Sequence, residues 1–182
     1  KDASSHFTAG LYTGTGATLS ISGLDFQPDW VVTKRRDAAG SWAWFDAVRG
    51  ATKYLSSDST AAEVTDAASL TSFNTDGFTL GTAAIVNTNT ATYVYYAGKF
   101  NGAGAANTDG TVSSTVSANI TAGMSIVKWT GTAANATVGH GLGAVPKFII
   151  TKANTQVTEW PVYHGSLLNT EHMVLNTTAD KV

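Results

Sequence analysis

The chain matches itself at a constant spacing, and this internal repeat constrains its fold more than any other feature. The segment 28–34 (PDWVVTK) aligns with 146–152 (PKFIITK), a shift of 146 − 28 = 118 residues. The same shift pairs Trp42 with Trp160 and Phe45 with Tyr163, and upstream Tyr12 meets Trp129 at 129 − 12 = 117. Because apolar, polar and turn positions agree in order over about fifty positions, we predict a duplicated unit.

The two predicted copies differ in length. Copy one continues into the apolar segments 73–80 and 93–96, which have no counterpart in copy two. We therefore predict a first repeat over residues 1–100, a flexible Gly/Ala-rich connector over 101–110, and a second, incomplete repeat over 111–182. A sheet without its closing strands exposes an unpaired edge, so copy two is expected to pair with copy one, with another chain, or with further residues after Val182, the simplest of the three.

Short segments with strand character recur along the chain. Residues 17–21 alternate apolar and polar side chains, whereas 30–32 and 148–150 are short, apolar runs typical of strands buried on both faces. Asp76-Gly77 lies between two apolar runs and predicts a tight hairpin turn. At most one helical turn is expected, near Thr60–Glu63. The pattern predicts an all-β protein, an antiparallel β-sandwich of jelly-roll or lectin-like type.

Composition excludes several classes of function. Charged residues are 13% of the chain and the net charge is −2, so no basic surface for nucleic acid is expected. Cysteine is absent, which excludes disulfides and thiolate metal sites. No apolar run approaches the roughly 20 residues that span a bilayer, so membrane insertion is not expected.

Motifs for catalysis are also missing from the sequence. None of the four histidines has a helical i, i+4 partner, and no Gly-x-Ser-x-Gly motif occurs. The carboxylates nominate no pair for glycoside cleavage. We expect no enzymatic activity, no metal site and no cofactor.

One set of side chains suggests binding. Trp42 and Trp44 lie two apart on a predicted strand, so both should point to one face, with Phe45 opposite. Indole rings bind sugar rings by flat apolar contact, and Asp46 and Arg49 are polar neighbours. We therefore take Trp42, Trp44, Asp46 and Arg49 as the candidate ligand-binding patch. The alternative is that both tryptophans fill the core.

The chain resembles a tandem-repeat β domain found in tail-fibre and other virion proteins of tailed bacteriophages. Segments 11–16, 26–34, 44–53 and 76–81 carry the resemblance in copy one, and segments 117–127 and 139–147 carry it in copy two. The resemblance implies a concanavalin-like, lectin-type sandwich with a role in virion structure or host adsorption, and it implies no catalytic residues.

The function expected from this resemblance is that of a virion structural protein, a tail-fibre or spike segment that attaches to the host surface. Its partners would be other virion proteins and a host glycan or receptor, its location the virion or the extracellular space, and its assembly a homo-oligomer, with a trimer favoured. Two alternatives are a carbohydrate-binding module of a secreted protein and a capsid decoration protein.

Overall fold

The computed structural model describes residues 2–182, and strands account for nearly all of its regular structure. A 3-10 turn (Ala3–Ser5) and a one-turn helix α1 (Ala84–Asn87) are the helical elements of this range. The strands are β1 (Phe7–Thr13), β2 (Leu19–Ser22), β3 (Trp30–Arg35), β4 (Ala43–Asp46), β5 (Lys53–Leu55), β6 (Val64–Thr65), β7 (Leu70–Asn74), β8 (Gly77–Leu80), β9 (Thr92–Gly98), β10 (Ala105–Asn107), β11 (Ser114–Asn119), β12 (Met124–Trp129), β13 (Phe148–Ile150), β14 (Pro161–His164) and β15 (Met173–Val174).

The first hundred residues form a sandwich of two antiparallel sheets. One sheet has six strands in the order β1-β9-β3-β4-β5-β6, and the other has three in the order β2-β8-β7. Their facing side chains, among them Val31, Phe45, Phe78 and Tyr95, make one hydrophobic core, in which Phe78 and Tyr95 meet edge-on with ring centroids 5.3 Å apart. The prediction of an all-β antiparallel sandwich is confirmed.

The second half of the chain adds two smaller sheets, β10-β11-β12 and β13-β14-β15, each of three strands. Four buried apolar residues lie in this half, Val116, Trp160, Val162 and Val174, against sixteen in the first half. The segment between β13 and β14 is attached to the sandwich by backbone hydrogen bonds, from Glu63 N to Asn154 O and from Thr158 N to Thr60 O.

Several local predictions are confirmed. The Asp76-Gly77 turn joins β7 to β8, and Asn74 pairs with Gly77 across the hairpin. The segment 17–21 overlaps β2, and 30–32 begins β3, where Val31 and Val32 are fully buried.

Two expectations were wrong. Residues 148–150 form β13, but Phe148 and Ile149 are 58% and 38% exposed because β13 has a neighbouring strand on one side only. The helical turn lies at Ala84–Asn87 rather than at Thr60–Glu63, where Ser59 Oγ bonds to the backbone N–H of Ala61 instead. Strand β10 (Ala105–Asn107), which pairs with β11, lies inside the predicted connector over 101–110.

Candidate binding groove

The outer face of the six-stranded sheet carries a row of aromatic side chains. Alternate residues of a strand point to opposite faces, so the burial of Val31, Phe45 and Ala97 in the core places their neighbours on the outer face. Strand register then brings these neighbours together, since Val32 on β3 lies opposite both Trp44 on β4 and Tyr96 on β9. Phe7 on β1 extends the row, because it lies opposite Gly98, which is also the partner of Trp30.

These side chains line an open groove of about 940 Å³, here called the aromatic groove. Its lining is Phe7, Trp30, Val32, Trp42, Trp44, Ser57, Asp58, Tyr96 and residues 175–178. Neighbouring rings contact each other, with centroids 5.4 Å apart for Trp30 and Trp44, 6.3 Å for Trp42 and Tyr96, and 6.4 Å for Phe7 and Tyr96. The rings are half-buried or exposed, so they present flat apolar surface to whatever enters the groove.

One wall of the aromatic groove comes from the far end of the chain. Residues 175–178 follow β15, and Leu175 N donates to Trp160 O at 3.0 Å. Trp160 is itself buried, its ring centroid is 5.7 Å from that of Trp44, and its Nε1 donates to Ser59 O. The groove is therefore completed by both halves of the chain.

Two polar side chains in the groove have hydrogen-bonding capacity to spare. Asp58 Oδ1 accepts from Trp42 N and Asn176 Oδ1 accepts from Trp160 N, but the Asp58 Oδ2 and Asn176 Nδ2 atoms have no partner in residues 2–182. Ser57, Thr177 and Thr178 add hydroxyl groups, and no lysine or arginine lines the groove. The arrangement combines flat apolar rings with one carboxylate, one amide and hydroxyls, which is the chemistry that sugar rings require.

The structure brings together two of the four predicted patch residues and separates the other two. Trp42 and Trp44 both line the groove, outside the core that contains Phe45, so the alternative that they fill the core does not hold. Trp44 Nε1 is buried without a hydrogen-bond partner among the described residues, and the ring is held by its contacts with Trp30 and Trp160.

Asp46 and Arg49 form a buried ion pair beside the turn that follows β4, and they are not part of the groove lining. Asp46 accepts from both Arg49 N and Arg49 Nε. The guanidinium also donates to Glu63 and, at 2.8 Å, to the backbone oxygen of Trp44. The guanidinium donors of Arg49 thus bind groups within the protein, and they stabilise the end of β4, the strand that carries Trp44.

Sequence reasoning missed Phe7, Trp30, Tyr96, Asp58 and Asn176 as groove residues. Trp30 could have been found from the sequence, because residues two apart on a strand point to the same face. With Val31 in the core, Trp30 and Val32 both belong to the outer face. The other four join the groove through strand pairings and contacts between distant segments, which one sequence does not reveal.

Residues 2–182 contain no cluster of three or more His, Cys, Asp or Glu side chains that could hold a metal ion. No helix in the described part of the chain is long and apolar enough to cross a membrane.

Comparison with known proteins gives one match. Residues 2–182 match the model of a family described as a domain of unknown function (DUF7483). The chain belongs to this family. Because the match covers all of the described residues, both halves of the chain are parts of the DUF7483 domain. No curated protein and no solved structure matches the chain.

Proposed function

We propose that this DUF7483 domain is a surface-attachment module that binds a neutral glycan in the aromatic groove. The observation that carries the proposal is an open groove with five aromatic side chains, Phe7, Trp30, Trp42, Trp44 and Tyr96, next to the unpaired polar atoms of Asp58 and Asn176. Sugar rings stack on aromatic faces through their C–H surfaces while their hydroxyls bond to carboxylates and amides.

The charge of the groove supports a neutral ligand. Asp58 is the one carboxylate in its lining, and no lysine, arginine or histidine is available there to pair with a sialic or uronic acid. Desolvating an anionic sugar beside a carboxylate is unfavourable. We therefore expect neutral hexose and N-acetylhexosamine glycans to bind better than acidic ones.

The biological setting follows from the sequence resemblance. A tail-fibre or spike segment of a tailed bacteriophage needs a surface that holds host glycans, and the aromatic groove would supply it. Mass spectrometry of phage particles purified from cultures that express this protein would test the setting. Detection of the protein among secreted host proteins but not in the particles would favour a carbohydrate-binding module of a secreted protein.

A glycan array tests the binding itself. We expect the wild-type chain to bind neutral glycans, and Trp42→Ala to weaken that binding by at least about tenfold, because a central aromatic contact commonly contributes more than about 1.4 kcal/mol. Trp129→Ala is the matched control, since Trp129 is also a solvent-accessible tryptophan, 44% exposed, and lies outside the groove.

Two outcomes would contradict glycan binding in the groove. One is an array on which the wild-type chain binds nothing. The other is a loss of binding in Trp129→Ala as large as that in Trp42→Ala, which would point to another surface.

A further inference from the structure

Strand β13 repeats the pairing geometry of β3 at the spacing of 118 found in the sequence. Trp30 lies opposite Asp46 and Val32 opposite Trp44, while Phe148 lies opposite His164 and Ile150 opposite Val162. All four positions of the second pair of strands are those of the first plus 118. The hydrogen bond that ends each ladder is repeated too, from Ala47 N to Asp29 O and from Gly165 N to Lys147 O.

The two strands differ in their second neighbour. β3 lies between β4 and β9, whereas β13 is the edge of its sheet and pairs with β14 alone among the described strands. The equivalent side chains differ in exposure accordingly. Val31 is 0% exposed and its counterpart Ile149 is 38%. Strands β13 and β14 thus match β3 and β4, but no described strand occupies the position of β9 beside β13.

The backbone groups at this open edge can be assigned from the ladder. Thr151 N donates to Pro161 O and Lys147 O accepts from Gly165 N, so residues 147, 149 and 151 direct their backbone groups to β14. The N–H and C=O groups of Phe148 and Ile150 therefore face the open edge. The equivalent residues of β3, Trp30 and Val32, are the ones that face β9.

The β3–β9 interface also shows which side chains suit this edge. Trp30 lies opposite Gly98 and Val31 opposite Ala97, so small residues of β9 meet β3 at this end of the ladder, and tyrosines follow from Val32 onward. A Cβ added at Gly98 would lie 3.0 Å from the Phe100 ring and 3.3 Å from the Trp30 ring, so a larger residue there would crowd both rings. Phe148 occupies the position of Trp30, so a strand added to β13 needs the same small residues.

We propose that the open edge of β13 binds a separate extended segment with the chemistry of β9: uncharged, with aromatic side chains followed by Ala-Gly, and antiparallel to β13. A folded second copy cannot supply its own β9, because that strand is already paired on both edges, with β1 and with β3. The partner is a further segment of the β9 type, added to the sheet by β-augmentation.

The test uses the full chain and a synthetic peptide of residues 90–100, which contains β9. Amide hydrogen exchange is followed by NMR with and without the peptide. We expect saturating peptide to slow exchange at Phe148 and Ile150 by about tenfold or more, with Ile149, already bonded to β14, changing less. Trp30 and Val32, already bonded to β9, serve as internal controls.

Two N-methylated peptides provide a matched pair. In β9, Val94 faces β3 and Tyr95 faces β1, because Val94 pairs with Lys34 in the same set of hydrogen-bonded positions as Thr92 with Arg36. N-methylation of Val94 should therefore abolish the protection, whereas N-methylation of Tyr95 should leave it.

Three results would overturn the proposal. The first is no change at Phe148 and Ile150 with the unmodified peptide. The second is equal protection by the peptide N-methylated at Val94. The third is protection without any peptide that rises with protein concentration and accompanies a dimer mass, since the occupant would then be a second copy.

Discussion

Tyr12 shows how a single polar group is accommodated inside the sandwich. Its hydroxyl donates to Val86 O at 2.7 Å, and its ring stacks on Tyr93 with centroids 4.9 Å apart. Burial, with the neighbouring Tyr93 hydroxyl as a smaller contribution, raises the pKa of Tyr12 well above the ordinary tyrosine value. The buried phenol is thus held in its neutral form, in which it can donate the hydrogen bond.

This pKa shift predicts loss of stability in alkali. The unfolded chain releases the Tyr12 proton above about pH 10 while the folded chain keeps it, so the free energy of unfolding falls as pH rises, by up to about 1.4 kcal/mol per pH unit above 10. Tyr12→Phe should lower the free energy of unfolding by about 1 kcal/mol at neutral pH, because the hydrogen bond is lost. Above about pH 10 the stability of the variant should fall less steeply than that of the wild type. Urea unfolding at about pH 7 and at several values between about pH 9 and 11 measures both effects.

Burial also raises the pKa of Tyr54 and Tyr95, so Tyr12→Phe should reduce the alkaline decline without abolishing it. If the free energy of unfolding of wild type and of Tyr12→Phe fell in parallel as pH rises, Tyr12 would not contribute to the loss of stability in alkali.

At the level of elements, the β7–β8 hairpin depends on one glycine. Gly77 begins β8 with φ of +150°, and it lies opposite Ser22 in the neighbouring strand β2. A Cβ at Gly77 would lie 1.9 Å from Ile21 O, so the glycine permits β2 to approach β8 closely. This close approach lets β2 pair with β8 in the three-stranded sheet β2-β8-β7, which covers the core.

Gly77→Ala should therefore destabilise the protein by about 3 kcal/mol, because both backbone strain and a clash with a backbone oxygen arise. Gly23→Ala is the matched control, since Gly23 also has positive φ, +83°, but a Cβ there meets nothing within 4 Å. The control should cost only about 1 kcal/mol of strain. Thermal unfolding compares the two variants, and equal losses of stability would mean that the contact with Ile21 is not the cause.

The elements that could be predicted from the sequence are those with local signals. The hairpin at Asp76-Gly77 and strands β2 and β3 follow from turn residues and from alternation or β-branching over a few positions. The aromatic groove could be predicted only in part. Trp42 and Trp44 are neighbours in sequence, but Tyr96 and Asn176 reach them through sheet register and through the packing of Trp160, which depend on distant segments.

The exposed edge of β13 is another feature that the local sequence could not predict. Phe148–Ile150 has the composition of a buried strand, and composition alone predicted burial on both faces. Whether such a strand is covered depends on a neighbour, and none of residues 2–182 forms a β9 equivalent next to it. The local sequence thus indicated that the segment is a strand suited to burial, whereas the sheet topology determined that it is exposed.

The whole molecule is uneven in how much apolar surface it buries. The core cluster draws all its buried members from residues 12–97, whereas the second half has four buried apolar side chains spread over two small sheets. Cooperative stability follows buried contacts, so the first half should open less often than the second. Trp160 couples them, through its ring contact with Trp44 and its bond to Ser59.

Amide hydrogen exchange on β4 and β14 compares the two halves directly. The positions of β14 are those of β4 plus 118, and each strand lies between two neighbours, β3 and β5 or β13 and β15, so edge effects do not differ. We expect β14 to exchange at least about 100-fold faster than β4, corresponding to about 2.7 kcal/mol less opening free energy. Trp160→Ala should widen the gap by accelerating β14 more than β4, because the second half loses its contacts with Trp44 and Ser59, whereas Phe45 keeps the core around it. Equal rates at β4 and β14 in the wild type would show instead that the two halves unfold as one cooperative unit, with the contacts around Trp160 as strong as the core.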